Sequence, residues 1–240
     1  MKKLPDDICS SHYSSSSRLK ETTLSLLFNR VDKVVSQCQT LMSLSLGNTK
    51  NMNDKKQQLI DTALNLFYQH GVGNIGINEI LKTSGIAKKT LYNHFKSKED
   101  LVLAALQQRD NDFIDWLDSI LLNGNSEYEK VQSLFYNLTE WFHGRDLTLG
   151  EFRGCLFINT SAQFSQPDNA ISQYCLLHKE RVKKHIQSSI NFTNEDILDW
   201  VCILKEGAIT AAYVCHDLNV ADKCFQLISP HLNHEKIKHH

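Results

Sequence analysis

The sequence reads as all-α, and three observations carry that reading. Three prolines and ten glycines in 240 residues are too few for an all-β chain built on many tight turns. Apolar side chains return at steps of three and four along most of the chain, which is the period of a helix. No stretch approaches the ~18 uncharged apolar residues that a membrane span needs, so the helices are expected to pack on one another. The composition, 41% apolar and 22% charged, is that of a chain able to bury a core.

Compartment and charge narrow the class. Lys2 and Lys3 are followed by Pro5, Asp6 and Asp7 where a secretory signal would place its apolar run, so a cytoplasmic location is expected. The seven cysteines include no C-x-x-C pair, which fits reduced thiols and argues against a zinc site. Net charge is −1, but residues 1–52 and 53–109 each carry +3 and residues 110–240 carry −7. A basic front on an acidic body permits a polyanionic partner for the first part. No cofactor, metal or catalytic signature is found.

Residues 1–52 open with a Ser-rich arm. Leu24, Leu27, Val31, Val34, Cys38 and Leu41 then mark one helical face, too short for a coiled coil. Two readings stand for this segment. It is an added docking helix, or translation starts at Met52 and residues 1–51 are absent from the mature protein, which the intact mass would decide.

Residues 53–106 form the informative segment. Asp54 with Gln57 reads as a capping box, and Leu59, Ile60, Ala63, Leu64 and Phe67 form the stripe of a helix over about 54–70 that Gly71 ends. Ile77, Ile80 and Leu81 mark a second short helix, broken at Ser84-Gly85-Ile86. A third runs from Ala87 to about Phe95, with Leu91 and Phe95 turned inward. Ser97 and Asp100 signal the start of a fourth, which reaches about Leu122. Two short helices joined through a Gly-containing turn make a helix-turn-helix over 76–95, with Gly85 needed for its positive φ. The outer face of the third helix reads Lys88, Lys89, Thr90, Tyr92, Asn93 and His94 with no acid among them, a surface suited to a major groove.

Residues 107–240 read as further helices over 128–142, 152–164, 169–190, 194–216 and 221–232. Trp116, Phe135, Trp141, Phe142, Phe152, Phe157 and Tyr174 supply aromatic surface, most of it core. As a group they suit an apolar cavity, with Arg153 or His178 as its charged neighbours. Val201, Leu204, Ala208, Ala211, Ala212 and Cys215 make a small-residue side, read either as a two-fold interface or as core. The C-terminal histidines read as a polar tail.

The segment from Gln58 to Leu106 resembles the DNA-binding domain of the tetracycline-repressor (TetR) family. The matching residues are Ile60-x-x-Ala63-x-x-Leu66-Phe67-x-x-x-Gly71, Ile80-x-x-x-Ser84-Gly85-Ile86, and the run from Thr90 to Leu101. Arg153-Gly154-Cys155-Leu156-Phe157-Ile158-Asn159 also resembles a stretch in one branch of the family.

The resemblance implies an N-terminal three-helix DNA head and a C-terminal helical-bundle domain for ligand binding and dimerisation. It implies a homodimer on a palindromic double-stranded operator, released by a small apolar ligand. It places Lys88 and Thr90, with Lys89, near bases. Tyr92 and His94 match DNA-backbone positions, and Lys98 a phosphate contact. Gly76 stands where the family often has a phosphate-gripping Thr. The expected pocket set is Trp116, Phe135, Trp141, Phe152, Cys155, Asn159 and Tyr174. The expected function is a DNA-binding regulator, a repressor. The alternatives are control by oxidation of Cys155, with its thiolate favoured by Arg153, or by a protein partner. An enzyme using Cys155 with His178 or His143 lacks a supporting signature.

Overall fold

The computed structural model describes residues 53–122 and 124–233, and every described element is helical. The arm and the helix expected before residue 52 lie outside the described residues, as do His234, His239 and His240. Helix α1 is already running at residue 53 and ends at 70. Asp54 is therefore inside the helix and not its cap, and the Gln57 amide turns forward to Asp61 at 2.8 Å.

Helices α2 (Ile77–Ser84) and α3 (Lys88–His94) follow. Gly85 ends α2 at φ 69 with its N–H on the Leu81 carbonyl. A Cβ there would meet nothing within 4 Å, so the glycine serves the backbone angle and not a close approach. Gln58 Nε2 donates to the Ser84 carbonyl at 3.0 Å and ties α1 to the end of α2.

Helix α4 (Lys98–Leu121) is capped by Ser97, whose hydroxyl accepts from the Asp100 N–H. The Asp100 carboxylate accepts from the Lys96 N–H. Ser126 and Glu129 repeat that pair of bonds at the start of α5 (Glu127–Phe142).

Two expected helices are shorter in the structure. The one expected over 152–164 is only α6 (Leu156–Ser161). Gly154 takes φ 77, and the Tyr68 hydroxyl both donates to its carbonyl and accepts from the Arg153 N–H, each at 2.9 Å. Those bonds hold the preceding strand of chain away from helical geometry. The last helix, α9 (Val220–Ile228), gives way to a 3₁₀ turn at Ser229–His231, where Pro230 cannot donate to a helical ladder. Between them run α7 (Ala170–Ser189) and α8 (Glu195–Val214).

Two apolar cores result. One gathers α1–α3 and residues Leu101, Val102, Ala105 and Leu106 of α4, and is closed by Leu156, Phe157, Ile171 and Cys175 from α6 and α7. The other gathers Phe113, Trp116, Leu117 and Ile120 of α4 with α5, α8 and α9. One helix thus serves both cores, and between its two apolar stretches lie Arg109 and Asp110, both buried.

Candidate functional site

The outer surface of α3 is built by a short, well-buried anchor. Leu91 is fully buried and Phe95 nearly so, and these two hold the helix down at i and i+4. The remaining side chains then face away. Lys88, Lys89, Tyr92 and Asn93 are exposed, while Thr90 and His94 are half-buried. Tyr92 leaves 47% of its surface to solvent, with the Lys88 ammonium 6.0 Å from its ring centre. The α3 face thus brings six of the seven expected DNA residues together. Lys98 stands apart: its Nζ donates to the Val72 carbonyl at 2.8 Å, tying α4 to the turn after α1. At Gly76 no side chain caps α2.

The joint in α4 is polar and buried. Asp110 accepts from His178 Nδ1 at 2.7 Å, from Arg181 at 2.5 Å and from the Tyr174 hydroxyl at 3.2 Å. Burial alone would raise the Asp110 carboxyl, but the bonds from His178 and Arg181 outweigh it and hold the group below its ordinary range. The same burial drives the His178 imidazole down, and Asp110 offsets this only in part. His178 is stacked on Phe157 with ring centres 3.5 Å apart. Tyr174 is pushed up to about 12, by burial first and by Asp110 second. Arg109 donates to the Leu149 carbonyl at 2.8 Å and lies over the rings of Tyr68 and Trp141.

Beside this joint is a cavity of about 20 Å³ whose wall includes Arg109, Trp141, Cys155, His178, Lys179 and Lys205. Of the expected pocket residues only Trp141 and Cys155 line it. Trp116 is core, with its indole N–H on Asp146 at 2.6 Å. Phe135 is also core, packed on Phe225. Phe152 faces a separate cleft with Tyr213 and His216. Asn159 lines neither space, and Tyr174 belongs to the Asp110 network. Arg109, Lys179 and Lys205 were not expected. Single charged residues inside amphipathic helices carry no sign in sequence of whether they point inward.

Two further expectations change. The neighbour of the Cys155 thiol is the Lys179 ammonium, which donates to it at 3.4 Å, while the Arg153 guanidinium pairs with Glu151 at 2.8 Å. On α8, Val201, Ala208 and Ala212 are buried within the chain, while Leu204 and Ala211 are half-buried and Cys215 is exposed, so only half of the expected small-residue side is core. The outward stripe is Trp200, Ile203, Gly207, Thr210 and Val214, at alternating steps of three and four. Gly207 has open space around it.

Residues 59–105 match the family model for bacterial regulatory proteins, tetR family. An HTH-type transcriptional regulator of Staphylococcus aureus (strain bovine RF122 / ET3-1) is 39% identical over 90 residues, which are 37% of this chain and 49% of that protein. Its counterpart in strain USA300 matches to the same extent. The chain spans about half the length of the curated relatives it matches. Among solved structures, Escherichia coli NemR in its reduced form superposes with a TM-score of 0.65 at 19% identity, over 77% of this chain and 100% of that one. A TetR-family transcriptional regulator from Streptomyces coelicolor gives 0.62 at 21%, over 74% and 97%. FadR from Bacillus subtilis, in complex with stearoyl-CoA, gives 0.55 at 18%, over 72% and 97%. At these identities the superpositions speak for a shared fold.

Proposed function

We propose that the chain, whose residues 59–105 match the model of the tetR family of bacterial regulatory proteins, is a transcriptional regulator of that family and works as a cytoplasmic repressor. In this reading two copies bind a palindromic operator, and a small ligand in the body releases them. The head comprises residues 53–106 and the body 107–240. The observation that carries the reading is the α3 face: two lysines, a hydroxyl, a phenol, an amide and an imidazole without an acid among them, on a helix fixed by Leu91 and Phe95. Such a surface offers donors to phosphates and base edges at once.

Each half of the operator needs its own head, so the reading requires a dimer. The α8 stripe suits a second copy because its spacing presents one edge that is apolar apart from Thr210, and the central glycine lets another helix approach closely. Ile203→Glu is expected to shift the protein from dimer to monomer in sedimentation equilibrium.

In the body the cavity at the α4 joint is the place for the ligand. The FadR neighbour holds stearoyl-CoA, so this fold accommodates a ligand in at least one protein, although the cavity here is small.

The test is selection of bound duplex from a random library, followed by affinity measurements across salt. Affinity is expected to fall steeply with salt, with a logarithmic slope of roughly 0.9 per phosphate neutralised. Indifference to every duplex at low ionic strength would overturn the reading.

A further inference from the structure

The wall of the cavity beside the α4 joint carries more cations than carboxylates and one buried donor without an acceptor. Arg109 is buried, and among the described residues it forms no ion pair. The Lys205 side chain is 3% exposed. Lys205 and Lys179 share a single carboxylate, Glu206, which Lys179 reaches at 2.6 Å. Three cations therefore line the space against one carboxylate. Asp110, on the far side of His178, is already held by Arg181 and His178. Burial would raise the Glu206 carboxyl, but Lys205 and Lys179 overcome it and hold the group at about 2, so it stays ionised and its charge is fully used.

An independent observation points the same way. Trp141 is 2% exposed and lines the cavity, and its Nε1–H has no hydrogen-bond partner. An indole N–H can only donate, and leaving one buried and unmet costs about 1–3 kcal/mol. The cavity therefore lacks an acceptor and a negative charge together. The rest of its wall is mostly apolar, with the rings of Phe113 and Phe157 beside Leu156 and Ile209. Its volume of about 20 Å³ is room for about one water-sized polar atom, such as a carboxylate oxygen.

We propose that this cavity binds a carboxylate: its oxygens accept from the Trp141 indole and neutralise the excess charge of Arg109 and Lys205. The carboxylate is either a free formate-sized anion or the acidic end of a longer ligand whose apolar part passes between the rings. Arg109 meanwhile touches α1 through the Tyr68 ring and holds the Leu149 carbonyl. A carboxylate that draws Arg109 inward loosens both contacts, which gives the anion a route to the head. The site rests on the reading above only in taking the body cavity as the ligand's place.

The test uses the full chain and direct binding, so it does not depend on DNA. Thermal midpoints are measured with sodium formate, acetate, butyrate and benzoate, and with acetamide as the neutral control, at ionic strength matched with sodium sulfate. At ten times Kd a rise of about 3–5 °C is expected for a carboxylate and none for acetamide. A rise with formate identifies the free anion, and one confined to butyrate or benzoate identifies the end of a longer acid. Trp141→Phe keeps the ring and removes the donor, and should weaken binding about fivefold to tenfold. Lys205→Met should abolish it. Trp141→Phe decides the matter if Lys205→Met does not fold. No carboxylate response, or one that both variants leave intact, overturns the proposal. If the response is absent while operator binding persists, the site fails and the regulator reading stands; operator loss alone condemns only the latter.

Discussion

The head and the body are built from the same kind of element and bury the same kinds of side chain, yet they place their polar groups oppositely. On α3 every donor that the fold does not use stands in solvent, on a surface anchored by two apolar residues. In the body an unused donor is inside, the Trp141 indole, on a cavity wall shared with Arg109 and Lys205. A surface of exposed donors costs folding nothing and waits for a large external partner. Buried donors without acceptors cost stability until something small supplies the acceptor. On the two proposals made above, the contrast separates a site for a polyanion from a site for a compact anion.

The largest effect expected from breaking this contrast is at Asp110. Asp110→Ala removes the acceptor for His178, Arg181 and Tyr174 in a fully buried position. Urea unfolding should show a loss of about 3 kcal/mol. A loss below 1 kcal/mol would mean that water replaces the carboxylate and that the joint is not a closed network.

Acidity probes the same joint. The folded-state pKa of His178 lies below its ordinary 6.5, so the fold favours the neutral ring. Its contribution is complete above that ordinary value and is lost as pH falls through the lower folded value. Asp110 and Glu206, both depressed from their ordinary 3.8 and 4.5, add a second loss at lower pH. Stability should therefore decline in two steps on acidification, and His178→Gln should remove the first. An unchanged first step in that variant would assign it to another group.

In the head the expected effects are smaller. Gly85→Ala forces a side chain to φ 69 without a steric clash, and should cost about 1–2 kcal/mol. Ser97→Ala removes the cap on the Asp100 N–H and should cost about 1 kcal/mol. Smallest for stability is Lys89→Ala on the open face, within about 0.5 kcal/mol. That variant should nonetheless flatten the salt slope of operator binding by about one unit. A stability loss there with an unchanged slope would break the distinction between head and body.

How much was legible differs in the same way. In the head the decisive signals are local. Leu91 and Phe95 share a face because of their spacing, Gly85 ends a helix because of its backbone freedom, and Ser97 caps because Asp100 follows at the right distance. Those relations hold within a few residues. The Asp54 cap failed because α1 is already helical at residue 53.

In the body the decisive relations are long-range. Tyr68 cuts α6 short from 85 or more residues away. Which side of α8 faces the core is set by α5 and α9, so Val201 and Ala208 are buried and Trp200 and Ile203 are not. By itself the sequence determined the helical class, the head's element order and the donor-rich face of α3, since each follows from periodicity and turn chemistry. Only the tertiary structure decided that Arg109, Trp141 and Lys205 meet around one cavity, because packing between distant helices, and not spacing along one, brings those groups together.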